Sequence, residues 1–374
     1  MTIVFYLSLL STACSQNTSE QEQAAATPVL SSADQLRLDI GEMLLVGFRG
    51  TVLKEDNHIV RDITQYHVGS VILFEYDAPT RTRHRNIQSK AQLKALCSDL
   101  QKYAGGNLLI GVDQEGGNVA RLRTVDGFPA TATAAASAQR GADSVRSNAR
   151  VVATELREAG INLDFAPCVD VNVNPDCPVI GKMGRSFSAD PEMVTKYAAI
   201  WCEELREQGV ASCAKHFPGH GSSDGDTHAG LVDVSDTWKE YELLPYRNLV
   251  AEGKVDMVMV AHVICRPLGD TLPASLSPAV IREKLRGELG FDGVVVTDDL
   301  AMGAISRQYG FEEALRLAIT AGCDMLCLSN NGSAYNPDLV PRAVEAIEQM
   351  VLTGQLSADD IHRSAERLRK LKKH

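Results

Sequence analysis

GVVVTDD (293–299) is a run of β-branched residues that stops abruptly on two carboxylates. It is too short for a helix and apolar on both faces, so it reads as a strand buried on both sides. Seven other runs follow the same design. They are MLLVGF (43–48), GSVILF (69–74), NLLIGVD (107–113), INLDFAPCVDV (161–171), ASCAKHF (211–217), DMVMVAH (256–262) and DMLCLS (324–329). Amphipathic stretches lie between them. Ser32 is the expected N-cap of a first helix ending near Gly41, with Gln35 at the capping-box position. Residues 84–103 and 143–159 carry apolar stripes. Asp190-Pro191 opens a helix that closes at Gly209, and Ser277-Pro278 opens one that closes at Gly287 or Gly290. Residues 311–321, 336–353 and 358–372 complete the helical set.

Strands alternating with helices, with both strand faces apolar, imply a parallel sheet covered by helices. Eight such units over about 340 residues fit a single (β/α)8 TIM barrel. An open doubly wound sheet is the alternative. Against it, DQEGG (113–117) is no GxGxxG fingerprint and no P-loop is present. Several runs also end on a chemically capable side chain: Asp113, Asp170, Lys215-His216, His262 and Asp298. Barrel enzymes place their sites at those C-terminal strand ends.

Composition narrows the function classes. The chain has 374 residues, 44% hydrophobic and 23% charged, which excludes disorder as a whole. Its net charge of -11 disfavours a nucleic-acid partner. No stretch reaches the ~18 apolar residues of a membrane span. The nine cysteines form no CxxC pair, and most sit in apolar segments where they pack as small hydrophobes.

The N-terminus follows other rules. IVFYLSLL (3–10) runs into Ser11, Thr12, Ala13 and Cys14, and then into a polar stretch. That order reads as a lipoprotein-type signal peptide over residues 1–14, with Cys14 as the lipidated mature N-terminus. Residues 15–31 are then a flexible linker, and 32–374 the catalytic domain. Export to the periplasm or cell surface is expected, with membrane contact only through a lipid anchor at Cys14.

KHFPGHGSSDGDTH (215–228) is the densest motif. Asp226 and His228, two residues apart in an extended loop, face the same way. A carboxylate on Nδ1 fixes the imidazole tautomer and makes a general acid/base on a mobile arm. Metal binding is the rival reading, with His216, His220, Asp224 and His228 as ligands and His262 as a further donor. Pro218-Gly219 forbids the helix that i, i+4 zinc geometry needs. Asp298 stands at a strand tip where it can attack a substrate, and Asp299 reads as a helix N-cap.

These residues resemble the β-N-acetylglucosaminidase branch of glycoside hydrolase family 3. The likeness rests on KHFPGHG followed by four residues and Asp-Thr-His, on IGVDQEGGNVARL (110–122), NLDFAPCVDVNVNPDCPVIG (162–181), GRSFSADPE (184–192) and VVTDDLAM (295–302). It spans roughly residues 35–370, and the family's fold is a (β/α)8 barrel. The resemblance implies that Asp298 is the nucleophile, His228 the acid/base and Asp226 its partner. It implies that Asp113, Arg121, Arg185, Lys215 and His216 hold the sugar. Two departures stand out: Asn118 replaces a frequent arginine, and VIGKMGRSF is longer than the usual segment before Arg185. The chain also ends before the second sandwich domain of β-glucosidase members.

The implied activity is a retaining exo-β-N-acetylglucosaminidase acting on peptidoglycan- or chitin-derived saccharides through a glycosyl-aspartate. The SSDG loop must move to bring His228 in. No metal or organic cofactor is expected, and the partner is a small saccharide. β-Glucosidase or N-acetylglucosamine phosphorylase activity within the same family, and a metal-dependent barrel hydrolase, are the alternatives.

Overall fold

The computed structural model describes residues 1–2, 31–269 and 271–373. The signal segment, Cys14 and the linker up to residue 30 lie outside the described residues. Eight strands form one parallel sheet: β1 Leu44–Gly47, β2 Ser70–Ile72, β3 Leu109–Val112, β4 Leu163–Asp164, β5 Ala211–Phe217, β6 Met257–Val260, β7 Val294–Thr297 and β8 Leu326–Leu328. Each strand pairs with its neighbours in sequence, and β1 pairs with β8 through Leu44 and Leu326. A parallel bridge between Val296 and Met325 joins β7 to β8 and closes the barrel.

The buried runs form strands where expected, but β4 is far shorter than 161–171. Pro167 has no N–H to give a ladder. Beyond Asp164 the chain is tied by single bonds instead, such as the Cys213 N–H donating to the Ala166 carbonyl at 2.9 Å. The peptide bonds 166–167, 215–216 and 217–218 are cis.

Helix ends follow local chemistry. The first helix, Ser32–Glu42, is capped by Ser31 and not by Ser32: the Ser31 hydroxyl accepts from the Asp34 N–H at 3.1 Å. The third helix begins at Lys90, not at residue 84, because Ser89 caps it and Asn86 is used to tie loops. Asp190 caps Pro191–Glu207 as expected. Ser277 accepts from the Val280 N–H, and the helix that follows, Ala279–Glu288, has wide π-type turns. Besides the single turns Ala134–Ala138 and Gly303–Ser306, two longer helices were not legible, His58–Tyr66 and Leu244–Ala251. The first is short and rich in β-branched residues, which lowers its propensity. Burial of Ile59, Val60 and Ile63 and the Asn57 cap sustain it instead.

The barrel is closed tightly at two glycines. A Cβ on Gly47 would lie 1.8 Å from the Ser329 carbonyl oxygen, so only glycine lets β1 approach the end of β8. A Cβ on Gly111 would lie 2.8 Å from the Phe165 ring, which fills that space. All eight described cysteines are buried and free.

Phe165 is fully buried, and truncating it leaves a cavity beside Gly111. Phe165→Ala is expected to lower unfolding free energy by about 3–5 kcal/mol. A chemical denaturation midpoint that did not move would contradict this packing.

Candidate active site

The site begins with a lysine at the end of β5. The Lys215 side chain is almost completely buried, and an isolated ammonium there would be strongly unstable. Its Nζ lies 2.7 Å from Asp113 Oδ1 and 2.7 Å from Glu115 Oε1. Arg121 donates to Asp113 at 3.2 Å, and its guanidinium lies 3.7 Å from Glu75. Arg185 grips Glu115 with two parallel bonds, 2.8 and 2.7 Å, a geometry only a guanidinium supplies.

The proton affinities follow from this packing. Burial pushes the Asp113 and Glu115 carboxyls up, but Lys215, Arg121 and Arg185 more than reverse it, so both stay well below the ordinary range. Burial lowers Lys215, and its two carboxylates raise it above an ordinary lysine. Asp164 shows the converse. It too is fully buried, but one amide bond from Gln114 and the nearby Lys215 do not offset the burial, and its pKa rises to about 8.

His216 continues the network. Arg185 Nη2 donates to His216 Nε2 at 3.1 Å, so the ring proton sits on Nδ1 and is given to Asp170 at 2.7 Å. Asp170 also accepts from the His220 N–H at 2.7 Å. Burial, its backbone bond and the imidazoles leave Asp170 well below the ordinary range, the imidazoles outweighing the burial.

Asp298 follows the last residue of β7. Its Oδ1 accepts from the Asp299 N–H at 2.8 Å, which leaves Oδ2 for other work. Burial raises this carboxyl, while the imidazoles of His262, His216 and His228 and the Asp299 amide bring it below its ordinary value. Asp299 does not cap a helix, contrary to expectation. Its carboxylate accepts from the Ala301 and Ser329 N–H groups and from the Ser329 hydroxyl. The next helix, Gly303–Ser306, starts after Met302. His262 is fully buried behind this turn. Its Nε2 lies 3.0 Å from the Asp299 carbonyl, which can only accept, so Nε2 carries the proton and Nδ1 accepts from Ser275 at 2.7 Å. His262 therefore holds the turn that presents Asp298.

The loop after β5 carries the last pair. Asp226 Oδ1 accepts from both the backbone N–H and the Nδ1–H of His228, at 2.9 and 2.8 Å. This local turn points both side chains one way. The His228 side chain is 71% exposed. The four-ligand metal set expected as a rival does not assemble. His220 is buried against Ser223 and Thr227, burial holds its pKa down to about 4, and Asp224 is exposed. Among the described residues Cys168, Asp170 and His216 do converge. Within that trio Asp170 already accepts from the His216 ring and the Cys168 thiol.

Asp298, His228, Asp226, Asp113, Arg121, Arg185, Lys215 and His216 all line one cavity of about 700 Å³ at the C-terminal ends of the strands. The long segment before Arg185 is absorbed in a turn, and Arg185 still reaches the site and donates to the Val179 carbonyl. Asn118, at the mouth, donates to the Met183 carbonyl at 3.3 Å, tying the loops after β3 and β4. Sequence reasoning gave no role to Glu115 or Glu75. Asp113 and Glu115 are two apart in an extended run, a spacing that puts both on one face; that signal was available.

A closed parallel barrel with such a cavity at its C-terminal mouth has the build of a barrel hydrolase, and the sequence profile described as "Glycosyl hydrolase family 3 N terminal domain" matches residues 35–371. The chain belongs to that family and is a glycoside hydrolase. It is 38% identical over 283 residues to a beta-hexosaminidase of Tolumonas auensis, covering 74% of this chain and 79% of that protein. It is 35% identical over 363 residues to beta-hexosaminidase LpqI of Mycobacterium tuberculosis, covering 94% and 85%. Among solved structures, a family 3 β-N-acetylglucosaminidase from Paenibacillus sp. superposes with a TM-score of 0.80 at 37% identity, covering 90% of this chain and 62% of that one. M. tuberculosis LpqI superposes with a TM-score of 0.76 at 33% identity, covering 92% and 94%.

Glu115→Gln removes one anion from between two buried cations. Breaking a buried pair in this way is expected to cost about 3–5 kcal/mol of stability near neutral pH. A carboxyl held low in the fold contributes its stability above the unfolded pKa of about 4.3 and loses it as pH falls through the folded value. The gap between wild type and variant should therefore narrow in acid. Parallel denaturation curves at pH 7 and at pH 3 test this, and a pH-independent gap would refute it.

Proposed function

We propose that the protein is a retaining exo-β-N-acetylglucosaminidase that releases terminal β-linked N-acetylglucosamine from peptidoglycan- or chitin-derived saccharides. One observation carries the assignment of roles: eight residues scattered from 113 to 298 line one cavity. Asp298 is ionised at neutral pH and has one oxygen fixed by the Asp299 amide. Its other oxygen attacks the anomeric carbon and the bond to the leaving oxygen breaks. His228, oriented by Asp226 on Nδ1, gives its Nε2 proton to that oxygen. The same imidazole then takes a proton from water as water displaces Asp298 and restores the carboxylate.

Lys215, Arg121, Arg185 and Asp113 supply fixed donors and acceptors for sugar hydroxyls, with no reorganisation needed at the moment of reaction. His216, held between Arg185 and Asp170, keeps one tautomer.

The test is hydrolysis of p-nitrophenyl β-N-acetylglucosaminide beside the β-glucoside. The N-acetyl substrate should be strongly preferred and a chelator should leave the rate unchanged. Asp298→Asn should lose roughly 10³-fold or more in kcat. His228→Ala should lose roughly 10²–10⁴-fold, least with the best leaving groups. Full activity in Asp298→Asn would remove the assigned nucleophile.

We also propose that residues 1–14 act as a lipoprotein-type signal and that Cys14 is acylated, which places the enzyme outside the cytoplasm. The apolar run ending at Ser-Thr-Ala-Cys supports this. Cys14→Ser should shift the protein from the membrane fraction to the soluble fraction; an unchanged distribution would count against the anchor.

A further inference from the structure

The mouth of the cavity carries a feature that the steps above leave unused. After β2 the chain forms a short antiparallel hairpin, Tyr76–Asp77 paired with Thr82–Arg83. Tyr76 stands directly opposite Arg83, so the two side chains share one face of the hairpin. Both line the cavity. Tyr76 is 40% exposed, so much of its ring is open at the edge of the pocket. The cavity's other aromatic residue, Phe74, is half-buried, with the Arg85 and Arg121 guanidinium groups over its ring. Tyr76 therefore presents the open aromatic surface of this mouth.

The hairpin backbone that carries this ring is firmly held. Asp77, beside Tyr76, is buried and receives two bonds from Arg49, at 2.6 and 3.0 Å, and one from Arg85 at 3.1 Å. Asn331, in the loop after β8, donates to the Tyr76 carbonyl at 3.0 Å and accepts from the Ala78 N–H at 2.9 Å. Its own N–H donates to the Ser329 hydroxyl at 3.1 Å, and that hydroxyl bonds to Asp299. A continuous hydrogen-bonded path thus runs from the turn presenting Asp298 to the backbone of Tyr76. The Tyr76 backbone is linked to Asp298 through three residues, Asp299, Ser329 and Asn331. Three charge-assisted bonds on the neighbouring Asp77 are a strong support for a segment that carries an open tyrosine.

The geometry points to Tyr76 and Arg83 as the subsite that receives the sugar ring on the leaving side of the scissile bond. A pyranose has one face of C–H groups, which carry partial positive charge and sit well on the negative face of an aromatic ring. Its rim carries hydroxyls. The Arg83 guanidinium has five N–H donors in a planar fork, and its bond to Asp126 at 2.9 Å anchors one arm and leaves the others to be offered. Ring and fork side by side match the two surfaces of one pyranose. A leaving group without a sugar ring finds nothing there to stack. Tyr76 is in this sense a specificity-determining residue, and the assignment rests on the hexosaminidase reading above.

The test compares two substrates that share the N-acetylglucosaminyl group and differ in what leaves: N,N′-diacetylchitobiose, and the small β-azide. The measured quantity is the ratio of their kcat/KM values in wild type, Tyr76→Ala, Tyr76→Phe and Arg83→Ala. Tyr76→Ala should lower the disaccharide-to-azide ratio roughly tenfold, the factor an aromatic contact worth about 1.4 kcal/mol supplies. The loss should appear mainly in KM for the disaccharide. Tyr76→Phe keeps the ring and should restore the ratio to within about twofold, which separates stacking from mere damage to the hairpin. Arg83→Ala should lower the same ratio by a smaller factor. An equal fall on both substrates would place Tyr76 against the transferred sugar and overturn the proposal, as would no change on either. If wild type cleaves neither substrate, the hexosaminidase reading falls first, and that is visible before any variant is made.

Discussion

An ammonium group stripped of water needs anions in place of its hydration shell, and that requirement organises one side of this barrel. Lys215 carries the charge, and Asp113 and Glu115 replace the water. Those two carboxylates need more cation than one lysine provides, so Arg121 and Arg185 are drawn in, and Glu75 follows Arg121. Arg123 stands closer still to Glu75, at 3.0 Å, so four cations face three carboxylates. They come from the ends of β3 and β5 and the loops after β2, β3 and β4, so a single charge balance fixes segments distant in sequence.

Around Asp298 the supports are hydrogen bonds without a lysine or arginine. His262 joins Ser275 to the Asp299 carbonyl, and the Asp299 carboxylate is held by Ser329. No cation touches Asp298 at ion-pair distance among the described residues. This matters for chemistry. A carboxylate already paired with an arginine would be a poor nucleophile, whereas one oriented by an amide N–H and nearby imidazoles stays reactive.

Most of the barrel could be read from the chain because strands buried on both faces leave continuous apolar runs, and their polar ends mark one mouth. β4 could not be read to its true length, because Pro167 interrupts a ladder that hydrophobicity alone predicts. The helix His58–Tyr66 was hidden for the opposite reason: its residues favour strands, and only its packing makes it helical. In the site, residues at strand tips were legible. Glu115 carried only the weak signal of its spacing from Asp113, because DQEGG also reads as a turn and nothing local shows that Lys215 and Arg185 will close on it. His262 had the right type and place but a different task from ligation. Which way its ring faces depends on Ser275, whose hydroxyl reaches it only after the chain turns back.

The exposure of His228 also shapes the traffic of protons. Lys215, Glu115 and His216 are buried within the cavity. The His228 side chain stands largely in bulk solvent, with Asp226 bonded to its Nδ1. In the proposed cycle the proton that His228 gives to the leaving oxygen returns to it from the attacking water, so no net proton has to cross the barrel wall. An imidazole in open solvent also exchanges its protons directly with the medium, without a relay of side chains.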